Sequence, residues 1–140
     1  MAMLAIGWWF SDMDEDRGVG IYPPDADKDE LRRVVMIAHW SDPVDREVTT
    51  TYWVDGQRHA GLQEDSLRGE WREWFLAAEG TEVRVLAENV DQGGRLSCFL
   101  FAGPPGNEIL VREMHRVQQD IGDCELFYRV GDPPYVQPID

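Results

Sequence analysis

The chain has 140 residues, 27 acidic and 13 basic, which gives a formal net charge of −14 at pH 7. This length fits one domain with a substantial core, and a 43% share of hydrophobic residues with six tryptophans excludes a disordered acidic tail. So acidic a composition also excludes direct binding of nucleic acid, which requires a basic footprint.

Two apolar runs near the N-terminus predict strands on either side of an acidic turn. Residues 3–10 are typical of a buried strand, and residues 19–22 favour a second one. The segment between them is acidic and contains a glycine, so we expect a hairpin with an acidic tip. Pro23 and Pro24 end the second strand.

Residues 25–40 combine signals for a helix and for a strand. Asp27 and Glu30 have the spacing of a helix capping box, whereas the mostly β-branched run at 34–37 favours a strand. We predict a short turn near residues 27–32 and a strand at 33–40. A further strand is predicted at 47–54, where Asp55-Gly56 then predicts a hairpin turn into a short strand.

Helical periodicity is clearest between residues 66 and 79. Asp65 or Ser66 can cap the start of this helix, and Gly80 fits just past its end. The residues expected on its apolar face are Leu67, Trp71, Trp74, Phe75 and Ala78. Beyond the helix, strands at 82–88 and 95–102 flank a turn at 91–94, which predicts a second hairpin.

A second amphipathic helix is predicted over residues 107–121, after the rigid connection at 103–106. Its apolar positions are Leu110, Met114, Val117 and Ile121. A last strand is predicted at 124–130, and the proline-rich tail at 131–140 is expected to be loosely held.

This order of elements predicts a single α+β domain over residues 1–130, followed by the tail at 131–140. Consecutive strands joined by tight turns imply an antiparallel or mixed sheet of about six or seven strands. The two helices, 66–79 and 107–121, would cover one face of this sheet.

No catalytic signature joins the reactive side chains. Cys98 and Cys124 lie in apolar, strand-like runs, which favours buried thiols in a reducing cytoplasm. The histidines lack zinc-ligand spacing and no local motif connects them to a cysteine. They are His39, His59 and His115. We predict no catalytic residue and no cofactor.

Phosphate and metal sites are also disfavoured by the motifs. The glycine–proline connection at 103–107 lacks both phosphate-loop patterns, and its prolines remove amide donors. The alternating carboxylates at 12–16 resemble the start of a calcium loop. However, Arg17 and Pro23 stand where that loop needs glycine and glutamate, so we predict no metal site.

Two rows of alternating carboxylates are the feature most indicative of function. Residues two apart in an extended chain lie about 6.6 Å from each other on one side, a spacing that suits the phosphate-binding pockets of a basic protein. Aspartate is also a common turn residue, so a solvated surface is the competing interpretation. The predicted partner-binding acids are Asp12, Asp14, Glu15, Asp16, Asp25, Asp27, Asp29 and Glu30.

Trp8 and Trp9 complete the predicted partner-binding site. In a strand, adjacent residues face opposite sides, so one of these rings is expected at a surface. Aromatic residues among charges are typical of protein–protein hot spots. A sheet covered on both faces, or a homodimer, would explain six tryptophans equally well.

The sequence therefore predicts a non-enzymatic binding protein that occludes the basic, nucleic-acid-binding surface of a partner. Two settings fit: a phage or mobile-element inhibitor of a defence system, such as an anti-CRISPR, or an immunity protein against a nuclease toxin. With no apolar run of about 18 residues and no basic start before the first apolar run, we expect it in the cytoplasm. The alternative is a small-molecule-binding or enzymatic α+β domain with a pocket between sheet and helices.

Overall fold

The computed structural model describes residues 18–24, 30–41, 47–61, 64–65, 69–90, 94–116 and 123–134. These residues form ten β-strands, and no α-helix occurs among them. The strands are β1 (Gly18–Tyr22), β2 (Arg32–Trp40), β3 (Val48–Val54), β4 (Gln57–Ala60), β5 (Glu64–Asp65), β6 (Glu70–Ala77), β7 (Glu82–Asn89), β8 (Leu96–Gly103), β9 (Ile109–Arg116) and β10 (Cys124–Arg129).

The strands form two sheets that pack face to face as a sandwich. The first sheet has the order β1-β6-β2-β8-β9, with β5 also beside β6, and the second has the order β10-β7-β3-β4. Only the pairing of β1 with β6 is parallel among the described strand pairs. Side chains from the inner faces of both sheets share one buried cluster, which is the core.

The α+β prediction is wrong, because the described parts of both predicted helices are strands. Residues 70–77 of the first predicted helix form β6, which lies between β1 and β2. Trp71 and Phe75 enter the core, and Trp74 joins a second buried cluster on the outer face of the first sheet. A strand buried on both faces carries apolar residues at odd and even positions, which imitates helical spacing.

The second predicted helix, 107–121, is replaced over residues 109–116 by the edge strand β9. Its pairing with β8 is interrupted by an irregularity between Leu100 and Phe101, and Val111 alone in β9 is fully buried. A bulge shifts the alternation of buried and exposed residues. The spacing of Leu110 and Met114 therefore resembles a helical repeat without forming one.

Other predicted strands are confirmed to within one residue. The predictions at 19–22, 33–40, 47–54 and 124–130 correspond to β1, β2, β3 and β10. Asp55 and Gly56 join β3 to β4 with φ values of 49° and 83°, the positive angles that a type I′ turn requires. The predicted strand at 3–10 lies outside the described residues.

The second predicted hairpin is wrong, although both of its strands exist. β7 pairs with β3 and β10 in the second sheet, whereas β8 pairs with β2 and β9 in the first. The chain thus changes sheets between them. Turn residues mark a reversal of the chain, but they do not say whether the next strand pairs with the previous one or crosses the sandwich.

Arginine side chains join the two sheets where the edge strands β9 and β10 meet. Arg112 Nε donates to the carbonyl of Phe127 over 3.1 Å, and Arg116 Nε donates to the carbonyl of Asp123 over 3.3 Å. Cys98 and Cys124 are buried free thiols, as predicted. The Cys124 thiol donates across the same seam to the carbonyl of Met114 over 3.6 Å.

Candidate functional site

Of the ten predicted partner-binding residues, the structure describes only Glu30, which is exposed just before β2. The other nine lie outside the described residues, so their placement stays a prediction. They are Trp8, Trp9, Asp12, Asp14, Glu15, Asp16, Asp25, Asp27 and Asp29.

Exposed carboxylates greatly outnumber exposed cations on the described surface. Nine acidic side chains are exposed, compared with three arginines, so the solvent-facing charge is strongly negative. The acidic residues are Glu30, Glu47, Asp55, Glu79, Glu82, Glu88, Glu113, Asp123 and Asp132, and the arginines are Arg58, Arg95 and Arg129.

The remaining described arginines are less exposed because they stabilise the fold. Each contacts a carboxylate or a backbone carbonyl, as in the buried pair of Arg33 and Glu108, whose Nη1 and Oε2 lie 3.6 Å apart. The six are Arg32, Arg33, Arg72, Arg84, Arg112 and Arg116. Six of the nine described arginines thus make contacts within the fold, while nine of the described carboxylates face the solvent.

Five of the exposed carboxylates gather at one end of the sandwich, which we name the acidic end. The side chain of Asp55, in the β3–β4 turn, accepts the backbone N–H of Glu82 over 2.9 Å. The N–H of Gly80, beside Glu79, donates to the carbonyl of Val130 over 2.7 Å. The five residues are Glu30, Asp55, Glu79, Glu82 and Asp132.

The chain on either side of the second predicted acidic row lies at this same end. Tyr22, the last residue of β1, and Arg32, the first of β2, both pair with Ala77. Asp25, Asp27 and Asp29 belong to the chain between these two strands. The described carboxylates therefore lie near the ends of the two strands that flank this row in the sequence.

A buried carboxylate near the β1 and β4 edges was not found by sequence reasoning. Glu73 projects from β6 into the core, where it is fully buried. Its Oε1 accepts the indole N–H of Trp71 over 3.1 Å, and the hydroxyl of Tyr52 also hydrogen-bonds to it. A buried carboxylate needs such donors, since it would otherwise lose its hydration without compensation.

Aromatic rings surround this carboxylate on the solvent side. The ring of Tyr52 lies between His59, stacked at 4.9 Å between centroids, and Phe75 at 6.1 Å. The hydroxyl of Tyr22 lies 3.5 Å from His59 Nε2. Because the rings pack against each other, the cluster closes this side of the sandwich, and we assign it a structural role.

Burial raises the pKa of Tyr52 far above its usual value, and the negative charge of Glu73 raises it further. Tyr22 also has a raised pKa, for the same two reasons in the same order. In both cases the folded state favours the protonated phenol, because a phenolate would be buried beside a carboxylate.

We expect the protein to lose stability as the pH rises above about 10, the unfolded tyrosine value. Below that pH the contribution of the protonated phenols to stability is fully present. Above it, the contribution falls by about 1.4 kcal/mol per pH unit for each tyrosine, until the pH reaches the pKa that the tyrosine has in the folded state. Urea unfolding between pH 8 and 11.5 would measure it. Tyr52→Phe should flatten the slope, and an unchanged slope would contradict the assignment.

A groove of about 580 Å³ runs along the seam between β9 and β10. It is lined by residues 112–115 and 125–127. At its side, His115 Nδ1 lies 2.8 Å from Ser97 Oγ, and His115 Nε2 lies 3.3 Å from Glu113 Oε2. This serine–histidine–carboxylate order resembles a hydrolytic array, but the side chains of His115 and Glu113 are both about half exposed.

The exposed Ser97–His115 pair is explained by the sheet alone. The two residues are direct cross-strand partners in β8 and β9, and such partners commonly hydrogen-bond. The helices that form one wall of the pocket in the predicted alternative do not occur among the described residues.

Metal-binding and membrane-spanning features are not found in the described ranges. No group of three or more histidine, cysteine or acidic side chains there is arranged to hold a metal ion. Likewise, no helix in those ranges has the length and apolar character needed to cross a membrane.

Comparisons with known proteins give no relative from which a role could be transferred. No protein-family model matches the sequence, and searches of curated proteins and of solved structures found no match.

Proposed function

We propose that this protein is a non-enzymatic, acidic inhibitor that binds in the cytoplasm to the basic, nucleic-acid-binding surface of a partner protein. The partner is a nuclease or a nucleic-acid-targeting complex. The inhibitor is either a phage or mobile-element protein that blocks a defence system, as anti-CRISPR proteins do, or the immunity protein of a nuclease toxin.

The acidic end carries this proposal. It places five exposed carboxylates on loops and strand ends, near Tyr22 and Arg32, the strand residues that flank Asp25, Asp27 and Asp29 in the sequence. Carboxylates held by a rigid sandwich present a fixed negative surface, and such a surface can occupy pockets that bind phosphates. In this proposal Trp8, Trp9 and the row from Asp12 to Asp16 extend the contact.

Electrostatic steering is the expected mechanism of association. Complementary charge mainly accelerates the encounter of two proteins, and the effect weakens with salt because the screening length is about 8 Å at physiological ionic strength. The imbalance of exposed charge on the described surface favours this behaviour. The bound inhibitor would then exclude nucleic acid by occupying the same groove.

Neutralising two carboxylates at the acidic end should slow association with the partner. We expect the double variant Glu79→Gln, Glu82→Gln to associate about three- to tenfold more slowly at low salt, with little change in dissociation. The measurement is surface-based binding kinetics from 20 to 500 mM salt, using the partner captured from a lysate of the native host. Asp12→Asn, Asp14→Asn, Asp16→Asn tests the first acidic row in the same way.

The matched control is the double variant Glu88→Gln, Asp123→Asn, which changes the net charge equally. Both residues are exposed at the opposite end, where Asp123 accepts the N–H of Asn89 and asparagine can keep that bond. Equal rates for the two double variants at every salt concentration would contradict steering by the acidic end. A captured partner that still binds nucleic acid in the complex would contradict occlusion.

A further inference from the structure

The groove between β9 and β10 lies between two strands that do not pair with each other. Among the described strands, β9 pairs with β8 alone and β10 with β7 alone, so each is the last described strand of its sheet. Side chains, rather than a backbone ladder, bridge the gap, as the bond from Arg112 Nε to the carbonyl of Phe127 shows. Unpaired strand edges beside a groove are a recurrent site for an extended peptide.

The lining of this groove combines apolar surface with two carboxylates, and also includes His115 and Arg112, whose guanidinium donates to backbone carbonyls. Phe127 on β10 is 59% exposed, the largest exposure of any large hydrophobic residue described. Met114 and Leu126 provide further apolar lining, and Glu113 and Glu125 contribute carboxylates. A volume of about 580 Å³ is in the range of sites that hold a ligand of a few residues.

The protein already shows which side chain suits this chemistry. Its own Arg84 lies over the Trp53 ring at 4.2 Å and over the Phe127 ring at 5.7 Å. Arg84 Nε also donates to Glu125 Oε2 over 2.6 Å. A guanidinium is thus held by an aromatic face and a carboxylate at the margin of the groove.

We propose that the groove binds an extended, arginine-bearing segment of a partner protein. The guanidinium stacks on the exposed part of Phe127 and pairs with Glu113, whose side chain is 49% exposed. The assignment rests on the proposed function for the source of the segment, a basic partner. In this arrangement the acidic end accelerates the encounter with the partner, and the groove then holds the partner's arginine-bearing segment.

Binding of a short peptide to the full-length protein tests the groove directly. The probes are a capped peptide, Ser-Arg-Val-Arg-Ser, and its counterpart with citrulline, a neutral analogue of arginine. We expect the arginine peptide to shift backbone amide resonances at residues 112–115 and 125–127. The citrulline peptide should bind at least fivefold more weakly in the same titration.

Variants separate the aromatic contact from general charge. Phe127→Ala should weaken the arginine peptide about fivefold, and Phe127→Leu, which keeps apolar area without the π face, should give a smaller loss. Val90→Ala is the matched control, because Val90 is 51% exposed and lies away from the groove at the end of β7. The amide spectra away from the groove report whether each variant keeps its fold.

Several results would overturn the assignment. Equal affinity for the two peptides, or equal effects of Phe127→Ala and Val90→Ala, would show that the groove does not recognise arginine. Shifts confined to the acidic end would show attraction by charge alone. If the peptide binds in the groove while the acidic-end variant associates at the normal rate, the proposed steering is wrong and the groove assignment stands. If the acidic-end variant associates slowly while the peptide does not bind in the groove, steering stands and the groove assignment is wrong.

Discussion

Glu73→Ala is expected to lower the free energy of unfolding by about 3 kcal/mol. The carboxylate is fully buried and accepts the indole N–H of Trp71, and the Tyr52 hydroxyl also bonds to it. Its removal leaves two buried donors unsatisfied, at about 1–3 kcal/mol each before relaxation, and opens a cavity between the sheets. Urea unfolding at pH 7, with the slope m compared between variants, measures the loss.

Two further variants separate hydrogen bonding from packing. Glu73→Gln keeps the length of the side chain and one acceptor, so it should cost clearly less than alanine. Adding Tyr52→Phe to each variant closes a double-mutant cycle, in which a coupling of about 1 kcal/mol or more between Glu73 and Tyr52 is expected. A loss below about 1 kcal/mol for Glu73→Ala would contradict the structural role of this carboxylate.

Sequence patterns correctly predicted strands that contain a run of β-branched residues or that end in a recognisable turn motif. The β-branched run of β2 was enough to identify a strand, and the Asp55-Gly56 pair was enough to identify the β3–β4 hairpin. β6 was misassigned because it is buried on both faces and its longer pairings, with β1 and β2, join it to strands far earlier in the chain. A one-dimensional pattern records spacing, and spacing alone does not distinguish a two-faced strand from a helix.

The candidate sites were harder to predict than the strands, because they bring together residues that are far apart in the sequence. Glu73 follows Trp71 and precedes Phe75 at the period of a strand, and this alternation was the only local sign that it faces the core. The groove brings β9 and β10 together, and residues such as Glu113 and Phe127 gain a shared role only through that contact. The acidic end similarly collects carboxylates from loops far apart in sequence.

The placement of the arginines explains how the fold accommodates its excess of negative charge. Fourteen net negative charges oppose compaction, yet the described fold places most of its arginines in contacts within and between the sheets. Arg84 and Arg112, for example, each bridge neighbouring strands through a carboxylate or a carbonyl. The same contacts stabilise the sandwich and leave its exposed surface acidic, which is the property that the proposed binding requires.

Gly61→Ala is expected to destabilise the fold by about 2–3 kcal/mol, through crowding rather than through loss of a contact. A Cβ at this position would lie 2.0 Å from Thr50 Oγ1 and 2.7 Å from Trp71 Nε1. The N–H of Gly61 donates to the carbonyl of Thr50 over 2.9 Å, which holds the end of β4 against β3 and prevents an easy shift. Overpacking of a tight site typically costs about 1–3 kcal/mol.

If the added methyl group clashes with the Thr50 side chain, the effects of substitutions at Gly61 and Thr50 will not be additive. Thr50→Ala removes the oxygen nearest to the new methyl group, so the double variant should be more stable than the sum of the two single losses predicts. Gly56→Ala provides the contrast, since nothing lies within 4 Å of its Cβ and only its φ of 83° opposes alanine; its loss, about 1 kcal/mol, should be independent of Thr50. Simple additivity of Gly61→Ala and Thr50→Ala in urea unfolding would contradict a clash at this corner. It would also show that the indole of Trp71, which would lie 2.7 Å from the added Cβ, can move to make room together with the Glu73 carboxylate that it contacts.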